Sequence, residues 1–321
     1  MNAKKNTVII DQPGEIDAEA RSVIESFAEL RIPETYDQNE LIALLKDCDA
    51  VISWGNTKFT QELINMIPDR VKTLAITGTG TDNIDIEAAN SKGITVTNTP
   101  GANANAVAEF TVGVVINVFR NIIPAVRLVS DKKWSSAEAF NGKEISNSSA
   151  LIIGLGNIGQ KVSRTLSAMG MKIYGYDPYV TKENALKNNI TLIDNIEEAS
   201  AAVDVICVHV PLSKETKGLL SYNCFNNMKS DAWVINVGRA PVVDEDAICD
   251  VLLKGKLGGY FTDVFPTEPP DYSKELYSLP NVFATPHIAA MTDVAYRNMQ
   301  VYAAQNVKAV LYGEKPMNVI K

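Results

Sequence analysis

A chain of 321 residues, 46% of them hydrophobic, is long enough to fold as two domains with large cores, and two domains create a cleft. Its formal net charge of -8 is spread without long like-charge blocks, which excludes a basic surface for nucleic acid or anionic lipid. Cys48, Cys207, Cys224 and Cys249 lack CxxC spacing, which points to reduced thiols in a cytoplasmic setting and to no metal site; the polar start, Met1 to Asn6, predicts no secretion leader.

Short runs rich in Val and Ile alternate with helical patterns, the signature of βαβ units and a parallel sheet covered on both faces, so the fold class is α/β. In the first part the pattern predicts strands at 7–11, 49–53, 71–77 and 93–97, with helices at 17–30, 39–46 and 85–91. This is a small doubly wound unit. The most apolar stretch, 104–119, contains Glu109 and Asn117 and falls short of the ~20 residues a bilayer span needs, so it reads as a buried helix within 103–120. A second series of strands is expected at 149–153, 172–177, 203–210, 232–237, 259–264 and 282–286, in strand-then-helix order throughout. A last helical pattern, 290–311, is expected to return to the first unit. The division predicted is a discontinuous domain of 1–99 and 290–321 around a second domain of 100–289.

The strand at 149–153 runs into Gly154-Leu-Gly-Asn-Ile-Gly159, and a helical pattern follows. In that context Gly154 serves the tight turn, Gly156 lets backbone approach a pyrophosphate, and Gly159 allows helix and strand to pack closely. The next strand ends in Asp177, placed to bind a ribose 2′-hydroxyl; a 2′-phosphate would face this anion with no adjoining arginine, so NAD is favoured over NADP. The alternative for Asp177 is a helix cap.

Ligands of open parallel sheets sit outside the carboxyl ends of the strands, which singles out His209, Arg239, Asp263 and His287 and predicts that all four face one cleft. Reducing a 2-keto acid requires a cation that grips the carboxylate and an acid that protonates the carbonyl oxygen. Arg239 suits the first role through its planar fork, and His287 the second through an imidazole that titrates near working pH. Glu268 either orients His287 and favours its protonated form or is a solvated loop residue. His209 reads more readily as a satisfied histidine at a strand end.

The motifs resemble those of the D-isomer-specific 2-hydroxyacid dehydrogenases over nearly the whole chain. The matching residues are Gly78-Thr-Gly-Thr-Asp-Asn-Ile-Asp85, Asn98-Thr-Pro-Gly101, Val107-Ala-Glu-Phe-Thr111, the Gly154 to Gly159 loop, His209-Val-Pro211, Asn236-Val-Gly-Arg239, Val243-Asp-Glu245, Asp263-Val-Phe-Pro-Thr-Glu-Pro269 and Thr285-Pro-His287. The resemblance implies a Rossmann dinucleotide-binding domain and a smaller flavodoxin-like substrate domain. It implies a catalytic set of Arg239, Glu268 and His287, and backbone donors at Gly78, Thr79 and Gly80 for the substrate carboxylate. It also implies an NAD site formed by Thr111, Gly154, Gly156, Asn157, Ile158, Gly159, Asp177, His209, Val210, Pro211, Thr216, Val237, Gly238, Asp263 and His287. A homodimer built by the segment after Thr111 is a further implication.

Within the family, the sequence is similar to the phosphoglycerate branch at Gly78 to Asn83, Lys133-Trp134 and Phe140-Asn-Gly142. That branch presents an arginine for the substrate phosphate in the segment matching Val51-Ile-Ser-Trp-Gly-Asn-Thr57; here stand Ser53 and Trp54, with Lys58 nearby. The departure favours a small unphosphorylated acid such as hydroxypyruvate or glyoxylate over a 3-phosphoglycerate-like one. The alternative of another class is an NAD(H)-sensing regulatory protein of the corepressor type.

Overall fold

The computed structural model describes residues 6–55 and 57–321; the polar start before Asn6, and Asn56 of the 51–57 segment, lie outside the described residues. The chain divides into two compact units, one reaching to Asn103 and resuming at Met291–Lys321, the other Ala104–Ala290.

The first unit begins with β1 (Asn6–Ile10), α1 (Ala18–Glu25), β2 (Ala28–Arg31), α2 (Gln38–Leu45), β3 (Ala50–Ser53), α3 (Gln61–Met66), β4 (Thr73–Ile76), α4 (Ile86–Ser91) and β5 (Thr95–Thr97). The second contains α5 (Ala104–Phe119), α6 (Ile122–Ser130), β6 (Ser149–Ile153), α7 (Asn157–Ala168), β7 (Lys172–Tyr176), α8 (Lys182–Lys187), β8 (Ile190–Leu192) and α9 (Ile196–Ser200). It continues with β9 (Val205–Val208), α10 (Tyr222–Phe225), β10 (Trp233–Asn236), α11 (Glu245–Leu253), β11 (Gly259–Thr262) and β12 (Val282–Ala284). Finally α12 (Asp293–Leu311) and β13 (Val319–Ile320) rejoin the first unit.

Strand order in the first sheet is β2-β1-β3-β4-β5, the flavodoxin-like order, with β13 added antiparallel beyond β5. The second sheet runs β8-β7-β6-β9-β10-β11-β12, all parallel, which is the Rossmann order. Successive strand residues face opposite layers, and both layers are helix-covered. Ala150, Ile152, Cys207 and Ile235 pack into one core, and Leu151, Ile153, Ile206 and Val234 into another. In the first unit Ile9, Val51, Leu74 and Val96 face one side; Val8, Ile10, Ala50 and Ile52 face the other, with Ala303, Ala304 and Val307 of α12. That apolar stripe is what seats α12 on this sheet.

Several expected elements are corrected. The helix read over 17–30 stops at Glu25; Ala28–Arg31 is a strand, because β1 offers it a ladder in register Asn6 to Ala28 and Ile9 to Arg31. Long-range pairing there outweighs local helical periodicity. The 103–120 helix is α5, followed by a second helix, α6, that the pattern did not separate. The final helix begins at Asp293 rather than 290, where the Thr292 side chain accepts from Ala295 N. The strand-then-helix order fails between β11 and β12, which are joined by a single 3₁₀ turn at Glu275–Ser278. Pro266, Pro269 and Pro270 in that connection lack the N–H a helix interior needs. Among the described residues no single helix is long and apolar enough to cross a membrane.

Candidate active site

The crossovers of the second sheet reverse direction between β6 and β9, which opens a crevice at the carboxyl ends of these two strands. Gly154 ends β6 at φ +91°, and a Cβ there would stand 2.8 Å from Val210 Cγ1 and 3.0 Å from the His209 carbonyl carbon. Gly159 meets the turn from the helix side, where a Cβ would lie 1.9 Å from the Gly154 oxygen. Gly156 faces open space and precedes α7 without a side-chain cap, so the N–H groups opening α7 at Asn157 and Ile158 have no such competitor. This cradle fits a dinucleotide pyrophosphate.

Asp177 follows β7 directly. Its Oδ2 accepts from Leu155 N at 2.8 Å and its Oδ1 from Tyr179 N at 2.9 Å, so the carboxylate ties the glycine loop to the next strand end. It caps no helix; Thr181 caps α8. A cavity lined by Leu155, Gln160, Tyr179 and Val180 adjoins it.

The remaining expected cofactor residues are placed less uniformly. His209 follows β9, its N–H donating to the Ile153 carbonyl, but both ring nitrogens are shielded from solvent and have no hydrogen-bond partner among the described residues. Burial pushes its pKa down to about 3, so the ring is neutral. It is therefore not the satisfied strand-end histidine expected. Thr111 is buried in α5 and donates its hydroxyl to the Val107 carbonyl at 2.7 Å. Val237 is buried, Gly238 N donates to Asn236 Oδ1, and Thr216 Oγ1 donates to the Pro211 carbonyl in the turn after Val210.

Arg239 follows β10 and is half-buried. Asn236 Nδ2 donates to its carbonyl at 3.0 Å, and Arg239 Nη1 donates to the Gly238 carbonyl at 2.9 Å. His287 follows β12, with Nδ1 2.9 Å from both carboxylate oxygens of Glu268. This hydrogen bond and the Glu268 charge raise the imidazole pKa above its ordinary value against the opposing effect of burial. Burial likewise works against ionising Glu268, yet the His287 contact prevails and its pKa is lowered. The Arg239 charge acts on both groups, lowering the pKa of each. Glu268 is thus the partner of His287 and not merely a solvated loop residue.

Asp263 is 1% exposed. Oδ1 accepts from Thr285 Oγ1 at 2.6 Å and Ile288 N at 2.9 Å, and Oδ2 accepts from Ala289 N at 2.8 Å. These bonds bracket His287, whose φ of +55° is uncommon for a residue with a Cβ and must be imposed by its surroundings. The sequence reading missed this bracing role, although a carboxylate that directly ends an apolar strand signals that it needs partners.

In the first unit, Gly78 to Gly80 follow β4. The Gly78 carbonyl accepts from Thr99 N at 2.8 Å and Thr99 Oγ1 at 3.2 Å, and the Thr79 carbonyl accepts from Asn98 Nδ2 at 2.6 Å. Asn98 stood in a recognised motif without an assigned role; its signal is a polar pair, Asn98-Thr99, directly after β5.

Residues 112–289 match the family described as D-isomer specific 2-hydroxyacid dehydrogenase, NAD binding domain. The chain is 35% identical over 313 residues to a D-3-phosphoglycerate dehydrogenase of Methanocaldococcus jannaschii, covering 98% of this chain and 59% of that protein. It is 34% identical over 295 residues to a hydroxypyruvate reductase of Thermotoga maritima, covering 91% of this chain and 94% of the relative. Among solved structures it is similar to a D-lactate dehydrogenase from Aquifex aeolicus complexed with NAD and lactic acid, with TM-score 0.85, 28% identity and 96% of each chain covered. The chain spans little more than half the length of the D-3-phosphoglycerate dehydrogenases from M. jannaschii, Archaeoglobus fulgidus and Synechocystis, at 59%, 55% and 53%.

Proposed function

Because this chain belongs to the D-isomer specific 2-hydroxyacid dehydrogenase family and carries its NAD binding domain, we propose that it is an NAD-dependent oxidoreductase interconverting a small D-2-hydroxy acid and its 2-keto acid. The observation that carries the reading is His287 Nδ1 held by both oxygens of Glu268, with the Arg239 charge acting on the pair. When bound, NAD supplies or accepts the hydride at C2. Arg239 holds the substrate carboxylate and polarises the carbonyl, and His287, through Nε2, gives a proton to the carbonyl oxygen in reduction and takes it back in oxidation. Glu268 orients the ring and favours its protonated form. In the first unit the Gly78 to Gly80 loop serves as a carboxylate anchor. Gly154, Gly156, Asn157, Ile158 and Gly159 cradle the pyrophosphate and Asp177 takes the ribose, which supports NAD over NADP.

Ser53 and Trp54, where a phosphate-reading arginine is absent, favour hydroxypyruvate or glyoxylate as substrate. The test is NADH and NADPH oxidation against hydroxypyruvate, glyoxylate, pyruvate and phosphohydroxypyruvate. Turnover of the unphosphorylated acids with NADH is expected. No turnover despite intact NADH binding would replace the enzyme by an NADH-sensing regulatory protein.

A cytoplasmic homodimer is part of the same proposal. The dimer is supported by α6, which has no buried residue and exposes Ile122, Val126 and Val129 along one side, with Trp134 beyond it 88% exposed. Light scattering should give a dimer that Val126→Asp converts to monomer; a wild-type monomer would remove the assembly from the proposal.

A further inference from the structure

The Gly78 to Gly80 loop is held from behind by a relay that begins on the segment after α12. Asn318 Nδ2 donates to Asn98 Oδ1 at 2.6 Å, and Asn98 Nδ2 donates to the Thr79 carbonyl at 2.6 Å. The direction is forced: a carbonyl can only accept, so Asn98 must face Thr79 with its nitrogen, and its oxygen is left for a donor, which Asn318 supplies. Asn306 of α12 locks both ends, donating from Nδ2 to the Asn98 carbonyl at 3.1 Å and accepting Met317 N on Oδ1 at 2.8 Å. Asn98 and Asn306 are 4% and 1% exposed, so water cannot substitute in the centre of the network.

The consequence for the loop follows from peptide planarity. In a trans peptide the C=O of one residue and the N–H of the next point in opposite directions. Thr99 pulls the Gly78 carbonyl to one side and Asn98 pulls the Thr79 carbonyl, which turns the N–H groups of Thr79 and Gly80 away from these anchors. Among the described residues neither N–H has an acceptor. Two successive backbone donors left without acceptors are the elements from which an anion-binding concavity can be built.

We propose that Asn98 and Asn318 are positioning residues for the substrate carboxylate, acting through the Asn318–Asn98–Thr79 relay that presents the Thr79 and Gly80 N–H groups. The proposal rests on the reading of Gly78 to Gly80 as the carboxylate anchor. Neither asparagine touches the substrate; each removes the freedom of the Thr79 peptide plane to rotate.

The test uses the full chain with hydroxypyruvate and NADH. Asn318→Asp keeps the shape of the side chain but cannot donate to Asn98 Oδ1. It is expected to raise KM for hydroxypyruvate about five- to tenfold, the scale of one hydrogen bond, with kcat and KM for NADH within about twofold. The backbone amide signals of Thr79 and Gly80 should shift or broaden in its NMR spectrum. Val319→Ala loosens the same segment without touching the relay and is expected to leave KM unchanged. Should Asn318→Asp match wild type in KM and in both amide signals, the relay is overturned alone. Equal KM rises in Asn318→Asp and Val319→Ala, tracking a lower Tm, would also overturn it, leaving Asn318 a mere fastening of the chain. A wild type that neither turns over nor binds any 2-keto acid would overturn the anchor reading and the relay with it.

Discussion

His287 and Glu268 share one proton-bearing contact, Nδ1 at 2.9 Å from each carboxylate oxygen, and that contact is what lifts the imidazole pKa above 6.5. On the proposed mechanism the protonated ring is the active form in reduction. The kcat/KM for keto-acid reduction should therefore be flat at acid pH and fall as pH rises through the raised pKa, while oxidation rises through the same point. Glu268→Gln removes the charge and should move that midpoint toward acid and lower the reduction rate at pH 8 by about 100-fold. An unmoved midpoint in the pH profile would detach Glu268 from the proton.

Asp263 should behave as a brace for His287 and not as a cofactor contact. Asp263→Ala strands the Thr285 hydroxyl and the Ile288 and Ala289 N–H groups, a loss of about 2–4 kcal/mol in urea unfolding. With His287 released from φ +55°, kcat should fall far more than NADH affinity. NADH fluorescence titration beside steady-state kinetics separates the two; a loss confined to NADH binding would contradict the bracing role.

Gly159→Ala brings a Cβ to 1.9 Å from the Gly154 carbonyl oxygen, so the turn between β6 and α7 must open. NADH affinity is expected to drop at least about 100-fold, the scale of a lost anion cradle. Asp177→Ala acts differently. It frees the Leu155 and Tyr179 N–H groups and removes the anion from the ribose site, so NADH binding should weaken while the NADPH to NADH preference rises. Unchanged preference would reject the ribose role.

Away from the site, Asp204 anchors the opposite end of the second sheet. Burial opposes its charge, but Lys143 Nζ at 2.9 Å, Lys229 Nζ at 3.0 Å and Ser149 N at 2.9 Å outweigh it and hold the pKa at about 2, below the usual 3.8. A depressed carboxylate contributes stability that is complete above 3.8 and lost as pH falls through 2. Asp204→Asn should lower Tm at pH 7 by several degrees and show less additional acid loss between pH 4 and 2 than wild type. Parallel Tm curves for the two proteins would refute the linkage.

The sequence by itself determined the α/β class, the glycine turn and the family, because these depend on local chemistry: β-branched runs, glycines where a Cβ would collide, and strand ends that carry Asp177, Arg239 and His287. It also paired Glu268 with His287 as one of two readings. What it could not decide were properties that arise between distant segments. Residues 17–30 carry a helical period throughout, yet 28–31 became a strand because β1 supplied its hydrogen bonds. His209 read as a satisfied strand-end histidine, yet its buried ring nitrogens find no partner among the described residues, and Thr111 spends its hydroxyl on the Val107 carbonyl. Asp263 became a brace, and Asn98 acquired Asn318 across 220 positions, because a hydrogen bond depends on where atoms meet in space, which local pattern does not encode.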